Sequence, residues 1–104
     1  MKVAKLPPQY WPGWEFQTKD GKIYRFNAPA GLFTGEELVI MIAEKELGYS
    51  RDDITEITMY FNTRKGRILP TVFPNKEAIH LGAFLPQKDE NGKLIGYTKV
   101  TQEE

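Results

Sequence analysis

Apolar and polar positions recur with two different periods along this chain, and the changes of period divide it into hairpins and one helix. Trp14 to Thr18 and Lys22 to Phe26 flank Lys19, Asp20 and Gly21. A two-residue Asp-Gly turn would set Phe16 against Arg25 and Trp14 against Asn27, scattering the aromatics over both faces. A three-residue loop with Gly21 in the left-handed conformation instead pairs Trp14 with Phe26 and Phe16 with Tyr24, which gathers four aromatics on one face. The pattern predicts the second register and leaves Glu15, Gln17, Ile23 and Arg25 on a mostly solvated opposite face.

The helical period follows. Thr34 and Glu37 have the spacing of a capping box, Phe33 is placed to pack on Leu38 as a hydrophobic staple, and Gly48 supplies a left-handed C-terminal cap after Leu47. At 100° per residue, Leu38, Val39, Ile40, Ile42, Ala43 and Leu47 share one wide arc, whereas Met41 falls among Glu37, Glu44 and Lys45 on the polar side. After Ser50-Arg51-Asp52-Asp53, which can cap a short turn, the alternation of Thr55 to Asn62 puts Ile57, Met59 and Phe61 on one face of a strand. A turn at Arg64-Lys65-Gly66 predicts a second hairpin with Leu69 opposite Phe61 and Phe73 opposite Ile57; Pro70 marks its returning strand as an edge or a bulge. Asn75 to Ile79 suits one helical turn. A third hairpin pairs Leu81 to Gln87 with Leu94 to Val100 around Asn91-Gly92.

These elements predict an α+β fold: a single two-layer domain of order β-β-α-β-β-β-β, one helix packed on a mainly antiparallel sheet. The order is that of a β-grasp layout and equally that of other two-layer sandwiches. Residues 1–13 form a Pro- and aromatic-rich arm with an extended, polyproline-like expectation, residues 14–100 the domain, and residues 101–104 a polar tail.

Composition narrows the class. The chain has 104 residues, 40% hydrophobic and 27% charged, enough for one core and outside the range of disordered sequences. It has no Cys, so neither a disulfide framework nor a thiol nucleophile is available, and a cytoplasmic location is expected. The longest apolar run, Leu38 to Ala43, is far short of the ~20 residues that span a bilayer, and no membrane partner is expected. Fourteen basic and fourteen acidic residues cancel, but unevenly: residues 36–56 carry two basic and seven acidic groups, residues 63–76 four basic and none acidic.

Candidate chemistry is sparse. The chain has one Ser, Ser50, in a capping position, and one His, His80, for which Glu77 one turn away is the candidate orienting carboxylate of a general base. Glu36-Glu37 and Asp52-Asp53 are adjacent pairs that do not converge, and Asp89 to Gly92 reads as a turn rather than a calcium loop. No glycine pattern of a nucleotide site appears. The expectation is a domain that is not an enzyme, with no cofactor and no metal. Pro7-Pro8-Gln9-Tyr10 resembles the Pro-Pro-x-Tyr ligand of WW domains, which implies an arm free to dock as a polyproline helix. The favoured function is a small binding or regulatory module whose partner is another protein, with Tyr10, Trp11 and Met41 as contact residues. The alternative is nucleic-acid binding through a basic tip of Arg64, Lys65 and Arg67, with Tyr10 or Trp11 stacking on bases.

Overall fold

The aromatic hairpin is where the sheet begins, and its register is the expected one. In a computed structural model describing residues 6–29 and 35–100, β1 (Gly13–Thr18) pairs antiparallel with β2 (Ile23–Asn27), Trp14 opposite Phe26 and Phe16 opposite Tyr24. Gly21 takes φ 85°, and the Thr18 N–H donates to Lys22 O at 3.0 Å to close the three-residue loop. Only glycine adopts that conformation without steric cost.

Helix α1 (Gly35–Leu47) lies on the aromatic face. Phe16, Tyr24, Phe26, Leu38, Val39, Ile42, Ala43, Phe84 and Leu94 form the common core. Gly48, at φ 78°, ends the helix, and the Tyr49 N–H returns to Ala43 O at 3.1 Å. The Thr34 capping box, the Phe33 staple, the first five residues of the arm and the tail lie outside the described residues.

After α1, Ser50 and Asp53 cap the short turn as expected, with Ser50 N and Oγ donating to Asp53 Oδ2 at 3.0 and 3.2 Å. Strand β3 (Ile54–Tyr60) pairs antiparallel with β1, placing Ile57 and Met59 on the helix face and Glu56, Thr58 and Tyr60 on the outer face. The small hairpin of β4 (Thr63–Arg64) and β5 (Arg67–Ile68) follows. Strands β6 (Ile79–Lys88) and β7 (Leu94–Val100) form the last hairpin around Gly92, at φ 81°. The main sheet has the order β3-β1-β2-β6-β7 and is antiparallel except for β2 against β6. The molecule is thus one helix on a mostly antiparallel mixed sheet of five strands, and among the described residues one central parallel pair joins the second strand to the sixth.

The second hairpin differs from expectation. Lys65 (φ 52°) and Gly66 (φ 80°) make a two-residue turn, so Thr63 faces Ile68 and Leu69 N–H reaches Asn62 O at 2.8 Å. Leu69 therefore does not oppose Phe61, nor Phe73 Ile57. The partner of β3 is β1, and residues 69–78 run as a strap that places Phe73 over the outer face at Gly13. The arm differs as well. Pro8–Tyr10 is a 3-10 turn, closed by Tyr10 N–H to Pro7 O at 2.9 Å, between extended Pro7 and Trp11.

Gly35 shows how closely helix and sheet approach: a Cβ built there falls within the Trp14 ring. Overpacking of this kind costs roughly 1–3 kcal/mol. Gly35→Ala is expected to lower the unfolding free energy by that amount, seen in urea unfolding as a lower midpoint with an unchanged slope.

Candidate functional site

The outer face of the sheet carries the most concentrated chemistry. Register alone builds it. Thr58 on β3 faces Glu15 on β1, Glu15 faces Arg25 on β2, and Arg25 faces His80 on β6, so four polar side chains from four strands share one lateral rung. The strap covers its middle. The Arg25 guanidinium carbon lies 4.6 Å from the Phe73 ring centroid, and its Nη1 donates to Asn75 O at 3.1 Å. Phe73 in turn meets Tyr60 and His80 edge-on, at 6.0 and 5.9 Å between centroids. Gly13 has no side chain beneath the Phe73 ring, which is why the strap can lie flat there.

Burial makes this rung electrostatically tense. It holds the Glu15 carboxyl above its usual value; Arg25 opposes the rise, Glu56 adds to it, and the Tyr60 hydroxyl hydrogen bond opposes it. Tyr60 is raised by its burial and by the charges of Glu15 and Glu56. His80 is lowered, by burial first and by the Arg25 charge second. Among the described residues, Glu15 Oε2 and Arg25 Nε are buried without a hydrogen-bond partner. A concavity of about 100 Å³ opens beside Glu15, bordered by Gln17, Glu56, Thr58 and Tyr60.

On the other face of β3 a second concavity, of about 370 Å³, lies between the strand and α1. Ile40, Ile54 and Ile57 line it, with exposed Glu36, Arg51, Thr55 and Glu56 at its rim. Strand β3 forms one border of the sheet, and among the described residues no strand pairs with its outer edge. Met59, 50% exposed, and Phe61, 42% exposed, stand at its C-terminal end.

The expected contact residues fall elsewhere. Trp11 is 3% exposed, and its carbonyl accepts from Asn27 Nδ2 at 3.2 Å and Thr71 Oγ1 at 2.5 Å. Its indole anchors the arm and is not presented to a partner or a base. Tyr10 is half-buried in the 3-10 turn, which also removes the polyproline conformation that a WW-type ligand needs. Met41 is half-buried and packs on the edge of the core, beside a shallow groove it shares with Ile40 and Leu94. Arg64, Lys65 and Arg67 are exposed together at the tip of the small hairpin, around an open concavity with Leu69. The structure thus groups the three basic residues and separates them from a buried Trp11. Glu15, Arg25, Tyr60 and Phe73 were not singled out from sequence, where the alternation marked Glu15 and Arg25 only as a solvated face. The charge acting on His80 comes from Arg25 across the strand pair, in place of Glu77.

No family model matches the chain, and no curated protein or solved structure does so either.

The displaced ionisations have opposite signs. His80 gives up its proton more readily in the folded chain, so its contribution is present above about pH 6.5 and is lost as pH falls through that range. The stability difference between wild type and His80→Gln should therefore shrink from pH 7.5 to pH 5. Glu15 is held above 4.5, so its ionisation disfavours folding at neutral pH. Glu15→Gln should raise the melting midpoint at pH 7, and the gain should vanish below about pH 4.5; thermal unfolding across pH checks both.

Proposed function

We propose that this domain is a non-enzymatic protein-binding module that takes up an extended segment of another protein along the free edge of β3. The observation that carries the reading is the edge itself. Seven residues, Ile54–Tyr60, contain no Pro, pair with β1 on one side, and are flanked on both faces by concavities able to receive alternate side chains. A strand added there makes main-chain hydrogen bonds for affinity and fills side pockets for specificity. The non-enzymatic part of the reading draws support from the rung, where Arg25 and His80 face the Phe73 ring instead of an open cleft. The lack of Cys supports a cytoplasmic setting.

A second reading keeps nucleic acid as partner. Its support is the joint exposure of Arg64, Lys65 and Arg67 around one concavity, a feature suited to phosphates. Of its two candidate stacking groups, Trp11 is buried and Tyr10 is half-buried in the 3-10 turn.

Selection of a random peptide library against the folded chain separates these. Recovered ligands are expected to slow hydrogen exchange at the amides of residues 54–60. Ligands that protect another element, or failure to recover any, overturn the edge reading; salt-sensitive oligonucleotide binding lost on reversal of the three tip charges favours the second.

A further inference from the structure

We infer that the segment accepted by β3 alternates basic and apolar residues, with Lys or Arg at every second position on the outer face and aliphatic side chains between them. The inference rests on the edge-strand reading and specifies its partner. Side chains of an added strand alternate between the two faces of the sheet. On the helix side they enter the space lined by Ile40, Ile54 and Ile57. On the outer side they meet Glu56, Thr58 and Tyr60, with Glu15 one strand further in.

That outer side is short of positive charge. Glu56 lies close enough to act on the Glu15 carboxyl, both border the same concavity, and Glu15 Oε2 is buried with no hydrogen-bond partner among the described residues. Arg25, the nearest cation, is committed to Phe73 and to Asn75 O. Thr58 is the small residue between the edge and Glu15 on the rung, so a long side chain from an added strand passes over it. Two strand spacings, about 9.5 Å, separate the added backbone from β1, a gap that an extended Lys or Arg and a Glu close between them. The wider surroundings agree. Residues 36–56 contain Glu36, Glu37, Glu44, Glu46, Asp52, Asp53 and Glu56 against Lys45 and Arg51.

A second copy of the chain does not meet these demands through its own β3. That strand offers Glu56, Thr58 and Tyr60 to one face and Thr55, Ile57 and Met59 to the other, and it carries no basic side chain.

The experiment uses four acetylated, amidated octapeptides: (Lys-Val)4, its rearranged isomer (Lys-Lys-Val-Val)2, (Thr-Val)4 and (Glu-Val)4. Affinity is read by fluorescence anisotropy at 150 mM salt and the site by amide exchange of residues 54–60. The expected result is that (Lys-Val)4 binds at least ten-fold tighter than the other three and protects β3. The double variant E15Q/E56Q should remove most of that advantage while still binding (Thr-Val)4 unchanged. Equal affinity for (Thr-Val)4 and (Lys-Val)4, with β3 protected, overturns the basic preference and leaves the edge reading standing. Equal affinity for the two Lys isomers reduces the effect to bulk charge and also overturns the inference. Absence of β3 protection by every peptide removes the edge reading itself.

Discussion

The register of the first hairpin is the constraint on which the remaining structure depends. With side chains alternating across the sheet, a slip of one residue would send Trp14, Phe16, Tyr24 and Phe26 to different faces and leave α1 without an aromatic floor. Gly21 prevents this by closing a three-residue loop. The loop is then tied down from outside. Asp20 accepts from Thr18 Oγ1 and from Tyr49 Oη, the latter at 2.6 Å, and Tyr49 shares a hydrogen bond with Tyr24 at 3.0 Å. Lys19 N–H donates to Asp53 O at 2.8 Å. The turn that fixes the sheet's register is thereby joined to the segment leaving the helix, so both layers are held by the same few residues.

The same register decides the chemistry of the opposite face. Placing the four aromatics inward leaves Glu15 and Arg25 as outward neighbours, and the parallel pairing of β2 with β6 brings His80 alongside. The strap then covers part of this layer, over Arg25, while His80 keeps an exposed side. Phe73 meets the Arg25 guanidinium and two aromatic edges, an arrangement in which the positive group and the ring edges each find the ring charge distribution they prefer. The outer face is thus a shallow, partly covered polar layer, and Glu15, Tyr60 and His80 carry displaced affinities for protons chiefly because of that burial.

Local signals explain what could be read from sequence. The first and third hairpins, turned at Gly21 and Gly92, the cap at Gly48 and the Ser50 turn follow from interactions within a few residues, and these are where expectation and structure agree. The departures arise from pairings distant in sequence. Lys65 adopts a left-handed conformation that residue type alone does not announce, and it shortens the second turn by one residue. Strand β3 had a plausible partner just downstream, but the inner face of β1 offered Trp14 and Phe16 to pair with Met59 and Ile57. Phe73, freed from that hairpin, crossed to the outer face, and no periodicity in residues 69–78 could indicate it. Trp11 reads as a contact residue of a proline-rich arm; its carbonyl is held by Asn27 and Thr71, 16 and 60 residues away, and no local signal announces that. The polar rung is invisible in the sequence for the same reason, since each of its members lies on a different strand.

The open border of β3 makes a final physical point. Exposed strand edges invite pairing with other chains, and proteins commonly blunt them with charge, Pro, bulges or brevity. Strand β3 has seven residues, no Pro and one charged side chain, Glu56; its irregularity lies at its N-terminal end, against Thr18 of β1. Strand β7, the opposite border, carries Lys99 and a glycine at its middle, and its hydrogen-bonded pairing with β6 shifts near Lys88. The two borders are therefore protected unequally. Glu56 would repel an acidic segment laid along this edge and attract a basic one. This selectivity follows from the sign of the charge, because the backbone groups of an edge strand do not themselves discriminate between partners.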